Sequence, residues 1–246
     1  QRSAALYNGD FRPMFIGGKW CEARSGEVIE ARNPASGEIL ATVPKGGSAD
    51  IDAAVSAART AFETGRWSRM APAGRKAVLL KWAGLIEENA LELAVLGVRD
   101  NGTEIGMALK AEPGSAAATL RFYAEAIDKV PGEIAPTGDD VLALVHRDPI
   151  GVVGAIVPWN FPLMIAAWKL GPALAAGNSV VLKPAETASL SLLRMAELGL
   201  EAGLPEGVLN VVTGAGPVVG QAMGLHMDID VLAFTGSGAT GRRLLE

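Results

Sequence analysis

Residues 151–183, GVVGAIVPWNFPLMIAAWKLGPALAAGNSVVLK, set the architecture. Gly151 to Val157 is an apolar run without polar alternation, the pattern of a strand buried on both faces. Pro162 to Ala176 reads as a helix, with proline in its first turn and Gly177 ending it. Ser179 to Lys183 is a second strand. Downstream, Ala188 to Ala202 reads as a helix opened by Thr187 or Ser189 and closed by Gly203. Leu209 to Val212 is a third strand, Val218 to Met223 a short helix, and Val231 to Phe234 a fourth strand. Gly241 to Glu246 begins another helix. Strands alternating with helices imply right-handed parallel crossovers. The expected fold is therefore α/β, a Rossmann-like parallel sheet with helices on both faces.

Upstream the pattern differs. Gly17-Gly18 separates Met14-Phe15-Ile16 from Lys19-Trp20-Cys21, a β-hairpin signal. Residues 33–38, NPASGE, read as a turn between Val28-Ile29 and Ile39-Leu40. Residues 49–130 look helical: Ile51, Val55, Ala58 and Phe62 form one apolar stripe, and Val78, Leu79, Trp82, Leu85 and Ile86 a second. Ala116 to Val130 is a third helix candidate. Residues 131–149 are polar, with a short strand candidate at Val141 to Val145. This hairpin and helical segment precedes the sheet.

Composition narrows the function. The 246 residues carry 22 Lys+Arg against 27 Asp+Glu, a net charge of −5, and are 49% hydrophobic. Such a chain is neither disordered nor equipped with a basic footprint for nucleic acid. The longest apolar run, residues 150–159, falls short of the ~20 residues a membrane-spanning helix needs. Gln1 to Asp10 has no apolar core of signal-peptide type. One cysteine excludes an internal disulfide framework and fits a reducing compartment, with the cytoplasm as the expected location. His146 and His226 form no metal cluster with Cys21 in the sequence. Leu244-Leu245-Glu246 stops inside an apparent helix, so the chain is expected to be part of something longer.

In an α/β sheet, ligands bind beyond the carboxyl ends of the strands. That edge supplies the candidate residues. Gly236-Ser237-Gly238-Ala239-Thr240-Gly241 fits G-x-G-x-x-G between a strand and a helix. It reads either as an anion site on helix N–H groups or as a glycine-rich turn. Lys183 and Glu186 read either as a pair gripping a sugar diol or as a surface ion pair. Asn160 reads either as the cap of the following helix or as an amide aimed at a developing oxyanion. Trp159 belongs to the core or flanks a ligand. Lys169, on the helix, is expected to face solvent. Cys21, beside the hairpin and far in sequence from either histidine, is expected to pack rather than react.

The segments Val157-Pro158-Trp159-Asn160-Phe161-Pro162, Lys183-Pro184-Ala185-Glu186 and Phe234-Thr235-Gly236-Ser237 resemble, in order and spacing, the NAD(P)-dependent aldehyde dehydrogenase superfamily. The resemblance runs from about Met14 to Glu246 and covers the N-terminal half of a typical member. It implies an NAD(P)-binding domain at residues 1–130 and 150–246, a bridging and oligomerisation segment at 131–149, and no catalytic domain in this chain. Such an enzyme oxidises an aldehyde to an acid through a cysteine thiohemiacetal and thioester, which a glutamate-activated water hydrolyses. Neither that nucleophilic cysteine nor that glutamate lies in this chain, and Cys21 does not match the nucleophile's motif.

By resemblance, Asn160 holds the oxyanion, and Lys169 matches a lysine near the catalytic centre. Lys183 and Glu186 grip the adenosine ribose. Trp159 and Ser237 neighbour the pyrophosphate. Val157, Pro158, Ala185, Phe234, Thr235 and Gly236 line the cofactor cleft. Gly214, Gly216 and Gly220 belong to the loop and helix near the adenine. NAD is expected rather than NADP, with a small aldehyde as substrate and a homodimer or homotetramer as the complete assembly. The substrate leaning is toward amino-, betaine- and γ-glutamylamino-aldehydes. Gly238-Ala239 stand where many members carry Thr-Glu, which alters the pyrophosphate turn. The competing readings are a non-catalytic dinucleotide-binding fragment or pseudoenzyme, and an inert truncation product paired with another chain.

Overall fold

The computed structural model describes residues 10–246; most of the N-terminal stretch read above for a signal peptide lies outside them. Eleven strands are present among the described residues: β1 Asp10–Phe11, β2 Met14–Ile16, β3 Lys19–Cys21, β4 Val28–Arg32, β5 Ile39–Pro44, β6 Glu133–Ala135, β7 Ala143–Val145, β8 Val152–Ile156, β9 Ser179–Lys183, β10 Leu209–Val211 and β11 Val231–Phe234. The helices are α1 Ser48–Thr64, α2 Pro72–Glu88, α3 Ala90–Asn101, α4 Ile105–Ala111, α5 Pro113–Ala126, α6 Pro162–Ala176, α7 Leu190–Ala202, α8 Gln221–Leu225 and α9 Gly238–Leu245. A 3-10 turn at Ile127–Lys129 follows α5, and a π turn at Gly216–Gly220 leads into α8.

The main sheet has six strands in the order β11-β8-β9-β10-β2-β3. Its first four strands are parallel, as the alternating pattern requires, and the hairpin β2–β3 completes it in antiparallel sense. The hairpin precedes the parallel strands in the chain, as expected, and also joins their sheet, because the buried Phe15 and Met14 supply an apolar strand that covers the open side of β10. Strands β1, β5 and β4 form a separate small sheet.

Period-2 geometry divides the core in two. Val153, Ala155, Val157, Val180 and Leu182 pack in one cluster with α2, α5, α6 and α7. Val152, Ile156 and Val181 pack in the other with Ile51, Ala54, Val55 and Ala58 of α1 and Met223 of α8. Each β8 and β9 residue is buried on its own side, which is why the sequence shows no polar alternation. Trp67 and Trp82 are fully buried, and each indole N–H finds a carbonyl, Leu174 O at 2.9 Å and Met195 O at 3.0 Å.

Residues 49–130 contain five helices rather than the three expected from two apolar stripes and one further candidate. Asn89, Gly102 and Glu112 interrupt the run, Gly102 in the left-handed conformation that ends α3. The third candidate begins at Pro113, not Ala116. Within residues 131–149 the strand is Ala143–Val145, shorter than the Val141 to Val145 candidate, and it pairs with β6, which carries no alternation to mark it in the sequence. Among the described residues, no helix is long and apolar enough to cross a membrane.

Candidate functional site

The chain runs from β8 to β9 and β10 on one side, then returns to place β11 on the other side of β8. This reversal opens a crevice at the carboxyl ends of β8 and β11, where ligands bind in open α/β sheets. Thr235 N donates to Ile156 O at 3.1 Å, and Val157 N to Lys183 O at 3.1 Å. These bonds hold the ends of β11, β8 and β9 at one level. The three sequence segments singled out above are brought together here.

The turn after β8 carries Pro158, Trp159 and Asn160. Val157 is buried, while Trp159 and Asn160 are exposed, Trp159 to 58%. Trp159 is therefore not a core residue. Its carbonyl accepts from Asn101 Nδ2 at 3.0 Å. The capping reading of Asn160 is overturned. Phe161 occupies the N-cap of α6, and the first-turn N–H groups of Leu163 and Met164 donate to Glu112 Oε2 at 2.9 and 3.1 Å. Glu112 is itself buried, and burial pushes its carboxyl up to about 7 despite those two bonds.

At the end of β9, Lys183 Nζ lies 3.4 Å from Glu186 Oε2. The Lys183 side chain is 4% exposed and that of Glu186 is 40% exposed. An exposed surface pair is thus excluded: the cation is sunk beneath the crevice, with its partner at the mouth. Burial lowers the Lys183 pKa, and Glu186 acts against that shift. Behind this turn, Asp100 Oδ2 accepts from Leu190 N at 2.8 Å and caps α7. Ser189 occupies the N-cap, one of the two positions expected to open the helix, but its side chain makes no capping bond.

After β11, Ser237 caps α9 and accepts from Thr240 N at 3.2 Å. A side chain at Gly236 would meet the Phe234 ring at 2.4 Å, so the turn needs a residue without Cβ. Lys169 is not solvent-facing. It is half-buried, and its Nζ donates to Thr235 Oγ1 at 2.7 Å, tying α6 to the end of β11. Burial lowers its pKa. Between the π turn, α8 and α9 lies a cleft of about 560 Å³ whose lining includes Ile156, Gly216, Gly220, Gln221 and Thr240. A Cβ on Gly216 would approach Lys183 Nζ to 3.8 Å, which places this cleft against the β9 end. Gly214, at φ +150°, starts the loop that returns to it, and its Cβ would strike Val219 at 2.4 Å.

Cys21 lies at the far edge of the sheet on β3 and packs against the α1 side of the core. Among the described residues, no group of three or more His, Cys, Asp or Glu is arranged to hold a metal. Sequence reading missed Glu112, Asp100 and Asn101. Their bonds reach across 51, 90 and 58 residues, and no local pattern marks them.

Residues 20–246 match the aldehyde dehydrogenase family. The chain is 54% identical over 233 residues to the NADP/NAD-dependent aldehyde dehydrogenase PuuC of Escherichia coli K12, covering 95% of this chain and 47% of that protein. It is 50% identical to an aminoacetaldehyde dehydrogenase of Pseudomonas aeruginosa, covering 94% of this chain and 47% of that one. A γ-glutamyl-γ-aminobutyraldehyde dehydrogenase from Burkholderia cenocepacia superposes with a TM-score of 0.95 at 48% identity, over 99% of this chain and 49% of that one. An indole-3-acetaldehyde dehydrogenase in complex with NAD+ superposes at 0.96 and 50% identity, over 100% of this chain and 49% of that one. The chain spans about half the length of the curated relatives it matches. With the crevice built from these three turns, the chain belongs to the aldehyde dehydrogenase family.

Proposed function

We propose that this chain forms the cofactor-binding half of an enzyme that oxidises an aldehyde to a carboxylic acid, with NAD preferred to NADP. The observation that carries the reading is the meeting of the Val157–Asn160, Lys183–Glu186 and Phe234–Ser237 turns at one crevice. Their chemistry fits a dinucleotide. A buried ammonium beside a half-exposed carboxylate can satisfy both hydroxyls of a ribose, Lys183 donating and Glu186 accepting. The cleft beside Gly216 and Gly220 leaves the backbone open to an adenine ring. The α9 N-terminus, with Ser237 at its cap, suits a pyrophosphate, and the exposed Trp159 is its proposed neighbour. Val157, Pro158, Ala185, Phe234, Thr235 and Gly236 form the walls.

Bound NAD supplies the hydride acceptor. Asn160 offers a carboxamide N–H to the oxygen that gains charge during attack on the aldehyde. Lys169 braces the crevice by donating to Thr235 Oγ1. The nucleophile and the water-activating acid come from the remainder of the enzyme. Residues 131–149, an exposed hairpin, serve as the bridge between subunits in a dimer or tetramer, and the cytoplasm is the location.

Two of the relatives act, by their names, on amino- or γ-glutamylamino-aldehydes. We extend that class to this enzyme. The test is steady-state kcat/KM of the full-length enzyme on aminoacetaldehyde, γ-glutamyl-γ-aminobutyraldehyde and indole-3-acetaldehyde, each with NAD and NADP. The expected result is highest efficiency with an amino-substituted aldehyde and NAD. Preference for the indole aldehyde rejects the substrate class, and no turnover of any aldehyde rejects the activity.

A further inference from the structure

The residue proposed to hold the oxyanion sits one position before the cap of a helix. Asparagine is among the strongest helix caps, and a capping carboxamide would be bonded to backbone N–H groups. Here those N–H groups are already taken. Leu163 N and Met164 N both donate to a single oxygen, Glu112 Oε2, although Glu112 lies on a different helical segment. Its other oxygen, Oε1, is buried without a partner. Both of the bonds that Glu112 does make fall on first-turn N–H groups that have no partner within the helix, so they define where α6 begins.

A residue of α3 fastens the other flank of Asn160. Asn101, the last residue of α3, donates from Nδ2 to Trp159 O at 3.0 Å, and its Oδ1 accepts from Thr103 N at 2.9 Å. The carbonyl before Asn160 and the amides three and four residues after it are therefore anchored from Asn101 and Glu112. Between these anchors the Asn160 side chain stays exposed at the crevice.

We propose that Glu112, assisted by Asn101, is a positioning residue for Asn160: it takes over the capping of α6 and thereby leaves the Asn160 carboxamide free and fixed for the reaction. The inference rests on the oxyanion reading of Asn160. Fixing a group that must meet developing charge matters because displacement on the order of 1 Å can cost about 10²-fold in rate.

The experiment uses the full-length enzyme with NAD and aldehyde each varied up to saturation, and measures kcat, KM for both substrates and melting temperature. Glu112→Ala is expected to lower kcat by about 10²-fold with both KM values little changed. Glu112→Gln keeps an acceptor oxygen and should recover most of that loss. Asn160→Ala with Glu112→Ala should lose no more kcat than Asn160→Ala alone, because both act through one amide. Glu87→Ala, which breaks an exposed pair with Arg121, is the neutral control.

Multiplying losses in the double variant overturn the proposal. So does a Glu112→Ala enzyme with normal kcat and only a lower melting temperature. Should neither Glu112 variant fold, Asn101→Ala decides: it is expected to lower kcat by about 10-fold, and a normal kcat overturns the proposal. Normal kcat in Asn160→Ala removes the oxyanion reading itself and, with it, the object being positioned. That failure is distinguishable because it shows in the single Asn160 variant.

Discussion

Glu186 is the residue on which the proposed preference for NAD turns. Its carboxylate is at the mouth of the crevice and 3.4 Å from a buried ammonium. A ribose hydroxyl can donate to it; a 2′-phosphate brings negative charge to the same place. Lys183 moderates that repulsion but is itself sunk at the base. A charge-assisted hydrogen bond contributes about 1.5–3 kcal/mol, or roughly ten- to a hundredfold in preference. Glu186→Gln in the full-length enzyme should narrow the ratio of kcat/KM for NAD over NADP within that range. An unchanged ratio would make the Lys183 pairing purely structural. At the same scale, Asn160→Ala should lower kcat by about 10²–10³-fold, the usual cost of one oxyanion donor. The geometry removes the competing explanation for such a loss, since Asn160 does not cap α6.

Two helices of the sheet layer, α6 and α7, are capped by carboxylates borne on other elements, Glu112 and Asp100. Both acids are buried, and burial pushes each up to about 7, outweighing the backbone N–H groups that favour the ionised form. An acid held above its unfolded value contributes stability that is fully present below the ordinary carboxylate range and lost as pH rises through about 7. Glu112→Gln does not titrate. The melting temperature of the wild type minus that of this variant should therefore fall between about pH 5 and about pH 8. A rise over that window would contradict the assignment. These caps also mark where sequence reading stops. Gly177 and Gly203 announce the ends of α6 and α7 because a left-handed glycine is a local signal. How they begin is not legible: the capping oxygens come from residues 51 and 90 positions away, while Asn160 stands one residue before the cap of α6 and Ser189 sits at the cap of α7 without a capping bond.

At the scale of the whole molecule, the parallel sheet was legible because burial on two faces imposes an apolar run on β8 and β9. The order of its strands was not. That β11 returns to the far side of β8, and that the hairpin closes the other end, depends on pairings 78 or more residues apart. This order has a chemical consequence. Cys21, the single thiol, is on β3, four strands removed from β8. At about 4.8 Å per strand that is roughly 19 Å from the crevice. Its thiol pKa is raised by burial and by Asp50, opposite to what a nucleophile needs. Cys21 cannot attack an aldehyde held near Asn160. Residues 1–246, prepared alone and verified by intact mass, should therefore form no NADH from NAD and aldehyde. In the full-length enzyme, Cys21→Ser should leave kcat unchanged. Turnover by the isolated segment, abolished by Cys21→Ser, would require a different arrangement of the sheet from the one described.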